Sequence, residues 1–96
     1  MMTISTFKSA PSSEPTVGTV FAKIVKGTRH VDGDHLLVED FSGTLEVWVP
    51  RSLHHRGTGV NKWFAFDVLS EPEPCAVVDL IERSIIVSDQ RTVEGP

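Results

Sequence analysis

Apolar and polar positions alternate along most of this chain in short runs broken by turn residues, which is the period of β-strands. In "TVGTVFAKIVKG", which begins at Thr16, Val20, Ala22 and Ile24 share one face. Thr19, Phe21, Lys23 and Val25 share the other, and the strand is expected to end near Gly27. The Asp-Gly pair in "TRHVDGDH" marks a loop or hairpin tip. "HLLVEDF" and "TLEVWVP" then read as two strands joined through Ser42-Gly43, with Leu36 and Val38 in one row and Leu45, Val47 and Val49 in the matching row. Pro50 lacks an N–H and ends the pairing. In "NKWFAFDVLS", Phe64, Phe66 and Val68 face one way and Trp63 and Ala65 the other.

The remaining segments are less regular. "RSLHHRGTG" is glycine-rich and supports at most a turn or two around Ser52–His55. "EPEP" is an extended connector. "CAVVDLIERSIIVSD" reads as strand over Ala76–Leu80 and again over Ser84–Val87, with a short helix at Val77–Glu82 as the alternative. The Ser, Thr and Pro of residues 1–15 carry little periodicity and read as a flexible lead-in, and residues 89–96 as a C-terminal tail. One domain over residues 16–88 is left.

Five strands with almost no helix must dispose of their sheet edges, and closure into a barrel does so. The predicted fold class is therefore all-β, a small five-stranded barrel with flexible tails. Gly18 and Gly43 are the expected bends of a tightly coiled sheet. A sandwich would ask for about seven strands.

Composition narrows function. The chain is 96 residues with 40% hydrophobic and 23% charged residues, so disorder of the whole is not expected. One cysteine, Cys75, rules out an internal disulfide or a thiolate-rich zinc site. No apolar run is long enough to span a membrane, and the N-terminus lacks the charged head and apolar middle of a secretion signal, so a cytoplasmic, nucleoid or nuclear location is expected. The net charge of −4 weighs against a nucleic-acid partner, but it is unevenly spread. Residues 1–66 hold seven Lys/Arg against six acids, while residues 67–96 hold seven acids against two arginines. A basic groove on the first two thirds therefore stays open.

The strand "VGTVFAKI", the run "LLVEDFSGTLEVWVP" with its Asp40-Phe41-Ser42-Gly43 turn, and the strand "WFAFDVL" resemble an OB-fold. The similarity is to single-stranded-nucleic-acid-binding domains related to the replication protein A group, and it covers residues 16–88. The chain departs from that pattern in three ways: the segment between the third and fourth strands is shorter than the usual helix, no glycine directly precedes Trp63, and the charge is less basic. The resemblance implies a binding face on the second and third strands and their loops, where aromatic rings stack on bases beside a positive groove.

Four rings, Phe21, Phe41, Trp48 and Trp63, fall on the rows opposite the core rows. Trp48, mid-strand beside Glu46 and Val47, is the foremost stacking candidate; its alternative role is to cover barrel surface or meet a partner protein. Phe41 and Phe21 are further stacking candidates, although a corner phenylalanine can instead plug a barrel end. Trp63 reads as structural. Lys23, Lys26, Arg29, Arg51, Arg56 and Lys62 are the candidate phosphate contacts, or else ordinary solvated charges. His30, His35, His54 and His55 lack metal-ligand spacing, and neither a metal nor another cofactor is expected. Asp32, Asp34 and Ser42 are explained by turns, so catalysis is not expected. The reading is thus non-catalytic binding of single-stranded nucleic acid, DNA before RNA, with the acidic C-terminal third off the binding face, repelling non-specific contacts or recruiting a partner. The alternative is an OB-fold assembly module, bound to a partner protein or to itself, with no nucleic-acid role.

Overall fold

A computed structural model describes residues 1–10, 15–53, 59–70 and 85–93. The elements are α1 (Ile4–Lys8), β1 (Thr16–His30), β2 (Gly33–Asp40), β3 (Gly43–Pro50), β4 (Trp63–Ser70) and β5 (Ile85–Thr92). The strands close into a barrel in the order β1-β2-β3-β5-β4. Closure depends on β1 serving two neighbours. Its first half, Thr16 to Lys23, pairs with β4, and its second half, Lys23 to His30, pairs with β2. A bulge between Ile24 and Lys26 lets the strand turn between them. The other closing contact is parallel, between Trp48 on β3 and Ile86 on β5.

The alternation predicts the core well. Val20, Ala22, Ile24, Leu36, Val38, Leu45, Val47, Val49, Phe64, Phe66 and Val68 all join one buried cluster. These strands form where they do because each apolar row faces the barrel axis and its alternate row faces outward. The hairpin tip falls at Val31-Asp32, as the Asp-Gly pair predicts, although β1 runs to His30 rather than stopping near Gly27.

Both tails differ from expectation. Residues 4–8 are not a lead-in but a helix, with Ile4 and Phe7 buried in the barrel core. A five-residue helix is too short to persist alone, so its ends must be satisfied by the barrel. The Ile4 N–H donates to Asp40 Oδ2 at 2.9 Å and the Ser5 N–H to Ser42 Oγ at 2.9 Å. The Thr6 N–H donates to Thr3 Oγ1 at 3.2 Å, and the Phe7 N–H to the Thr3 carbonyl at 3.0 Å. The N–H groups of Ile4, Ser5 and Thr6, which have no partner within a helix, are thereby paired, and the Phe7 N–H makes the first helical bond. Met2 extends the attachment, its N–H donating to the Thr19 carbonyl at 2.9 Å. Gly18, expected only as a bend, leaves room for this segment: a Cβ there would lie 2.9 Å from Met2 Sδ and 3.4 Å from Phe7 Cδ1.

At the other terminus, residues 89–92 are strand rather than tail. β5 escapes the apolar alternation because its register slips opposite Asp67 and Val68 and its inward residues are mixed, Val87 beside a buried Gln90. Its outward side is tied by charge. Asp67 accepts from Thr19 Oγ1 at 2.6 Å and from Arg91 Nη1 at 2.7 Å, and Arg91 also reaches Asp89 at 2.7 Å. Arg91, then Thr19, hold the Asp67 carboxyl below its ordinary range. The segment Ala76–Leu80, its alternative helix and most of "LHHRGTG" lie outside the described residues. No described helix is long and apolar enough to cross a membrane.

Candidate nucleic-acid interface

The Asp40-Phe41-Ser42-Gly43 turn is organised by one carboxylate. Asp40 Oδ1 accepts from the Ser42 N–H at 2.7 Å and from Ser42 Oγ at 2.5 Å, while Oδ2 holds the start of α1. Burial is the largest influence on this carboxyl and pushes its pKa up, but the bonds from Ser42, Ile4 and Gly43 outweigh it and leave the pKa below the ordinary value. A group depressed in the folded state adds stability above its unfolded pKa, roughly 4, and that stability is lost as pH falls through the folded value. Asp40→Asn removes the charge and keeps one acceptor. It should lower stability at neutral pH by about 1 kcal/mol. Its melting temperature should also fall less than the parent's between pH 5 and pH 3, as thermal scans across that range would show.

The same turn throws Phe41 outward, 93% exposed. A second aromatic feature lies close by on the outer face of β1 and β4. Phe21 and Trp63 sit with ring centroids 5.0 Å apart, tilted by 59°. Phe21, Trp63, Phe41 and the N-terminal residues Met1 to Thr3 line a groove of about 500 Å³.

Trp48 behaves differently from the foremost stacking candidate it was in the sequence. Its parity is as read, since it does not join the core cluster formed by Val47 and Val49. The ring is nevertheless only 7% exposed. Three neighbours cover it: His30 with its ring centroid at 5.5 Å, Ile86 across the parallel contact, and the backbone of Gly33. A Cβ at Gly33 would lie 2.5 Å from Trp48 Cζ2 and 2.6 Å from the Val49 carbonyl, so only glycine gives the indole its seat. An outward position on β3 is buried because β5 and the β1–β2 tip close over it. That relation crosses the chain and leaves no mark in strand alternation.

The candidate cations divide. Lys23 lies 3.8 Å from Glu39 on the outer face of β1 and β2. Arg29 and Arg51 approach the buried carboxylate of Asp34, at 3.8 and 3.6 Å. Arg51 also donates from its guanidinium to the carbonyls of His30 and Gly33, and its N–H donates to the Asp32 carbonyl at 3.0 Å. It is therefore a brace for the hairpin tip, only half-exposed. Lys26 and Lys62 are exposed, with no ion pair to any described residue. Arg56 lies outside the described residues. The outer face of β2 and β3 also carries Glu46, 3.9 Å from His35. Acids thus offset much of the positive charge that the β2–β3 face would present. Among the described residues no group of three or more His, Cys, Asp or Glu is placed to hold a metal ion.

Closed five-strand order, a long shared β1 and a plugged barrel end define this chain as an OB-fold barrel. The segment between the third and fourth strands is short, with residues 54–58 outside the described residues, and α1 fills a barrel end from the N-terminus. No family model and no curated protein matches the chain. Five chains of known structure do. One is described as the structure of murine DNA binding protein bound with ds DNA; it superposes with a TM-score of 0.60 at 20% identity, over 99% of this chain and 49% of that one. This chain spans about half the length of that protein, and at this identity the likeness is one of fold.

Proposed function

We propose that this barrel is a non-catalytic binder of nucleic acid, single-stranded before double-stranded and DNA before RNA. The observation that carries the proposal is an OB barrel presenting exposed and half-exposed aromatic rings, Phe41, Phe21 and Trp63, beside unengaged lysines. The similarity to a murine protein whose structure holds double-stranded DNA supports nucleic acid as the ligand class. Stacking falls to Phe21, Phe41 and Trp63 rather than to the covered Trp48. Lys26 and Lys62 reach phosphates, and Lys23, Arg29 and Arg51 add charge from positions where they also hold the barrel together. Rings that take base faces require unpaired bases, which is the ground for preferring a single strand over a duplex.

Competition between labelled oligo-dT and an unlabelled duplex of equal length, followed by anisotropy, tests this order. The expected result is that the duplex displaces oligo-dT only at a large excess. Equal or better displacement by the duplex contradicts the preference for single strands. A second reading, an assembly module, is favoured by the net charge of −4 and the apolar groove. A mass above the monomer in sedimentation, together with no binding to any oligonucleotide, would establish it.

A further inference from the structure

We infer that the groove between the N-terminal residues, β1 and the β2–β3 turn holds one unpaired nucleobase, stacked on the Phe21–Trp63 pair and flanked by Phe41. The inference rests on the reading of the chain as a nucleic-acid binder and gives that reading a site away from the β2–β3 face. Its volume of about 500 Å³ is in the range of small-ligand clefts. Three of its lining residues, Phe21, Phe41 and Trp63, are rings and two, Met1 and Met2, are thioethers, a mix that suits a flat π-face.

The carboxylate and the hydroxyl of the groove are already engaged. Asp40 accepts from Ile4 and Ser42, and Thr3 Oγ1 accepts from the Thr6 N–H and donates to Thr6 Oγ1 at 3.0 Å. The side-chain donor left in the lining is the Trp63 indole N–H, and one donor reads little of a base edge, so the site takes faces and discriminates little among bases. A base inside a duplex has both faces stacked and its edge paired, and does not fit.

Charge selects a nucleotide over a neutral apolar group. Lys23 stands directly across the β1–β4 register from Trp63, and Lys62 immediately precedes Trp63 in the chain. Lys23, 3.8 Å from Glu39, and the exposed Lys62 thus neighbour Trp63 across the register and along the chain, where the phosphates flanking a stacked base would run. The one carboxylate in the lining, Asp40, has its charge dispersed into the turn and the start of α1.

The test uses the full chain with two variants and a labelled oligo-dT. Trp48→Phe leaves Trp63 as the one tryptophan, so its emission reports the groove alone. Phe41→Ala changes a side chain that is 93% exposed, so the fold survives and this variant decides the matter if the first is too unstable. Expected are quenching of Trp63 on saturation and a loss of affinity in Phe41→Ala of about five- to a hundredfold. If anisotropy shows the oligonucleotide bound while Trp63 emission is unchanged and Phe41→Ala binds like the parent, the assignment is overturned. Nucleic-acid binding then stands, and the groove belongs to an apolar side chain of a protein partner. If anisotropy shows no binding at low salt, the functional reading falls and takes the groove assignment with it.

Discussion

Trp48→Ala is expected to cost about 3–5 kcal/mol of folding stability, the range for removing a buried aromatic ring. The ring is 7% exposed and fills the space over Gly33, beneath His30 and against Ile86. It also lies at the contact through which β3 and β5 close the barrel, so its loss weakens a seam as well as leaving a void. Domains of this size have about 5–15 kcal/mol in all, so the variant should be close to unfolding, and its urea midpoint should drop steeply. A base-stacking platform would give a different pattern: affinity lost, with an unchanged midpoint. An unchanged midpoint in Trp48→Ala would show that the ring is not a structural closure.

Phe7→Ala is the second large effect. Phe7 and Ile4 are the side chains by which α1 enters the core, at 4% and 0% exposure. Truncating Phe7 should cost about 3–5 kcal/mol, and at roughly 4–8 °C per kcal/mol the melting temperature should fall by more than about 12 °C. Deleting residues 1–9 should cost more, because it also strips Asp40 and Ser42 of the N–H groups they accept from. A deletion that melts with the parent would show that the helix is not the plug of the barrel end.

Much of this fold was legible along the chain. The inward rows of β1 to β4 are simple alternations, and every one of them is buried as read. Closure into a barrel followed from the strand count. The helix was missed although its marks are present in "MTISTFK": a threonine cap, Ile4 and Phe7 three apart, and Lys8 in the last turn. Five residues are too few for periodicity to stand out, and the partners that stabilise them lie 36 and 37 positions away. β5 was only partly legible because its inward Gln90 breaks the apolar row.

The candidate site was legible in residue type more than in geometry. Phe21, Phe41 and Trp63 were read on the outward rows, and they line one groove. Trp48 was read on the correct side but not as covered, because the cover comes from β5 and the β1–β2 tip. Arg51 was read as a candidate phosphate contact, yet its guanidinium is turned to the hairpin carbonyls. Parity tells which way a side chain leaves its own strand. It does not tell what another part of the chain lays over it.

The central claim is that this barrel binds a single strand mainly through ring faces, with few phosphate contacts. Affinity for labelled oligo-dT as a function of salt tests it most directly. With Lys26 and Lys62 as the unengaged cations, about two counterions should be released, and the slope of log affinity against log salt should be about −1.4. Binding that persists with such a shallow slope is the predicted result. A slope near −5 or steeper, or no binding at low salt, would contradict the account.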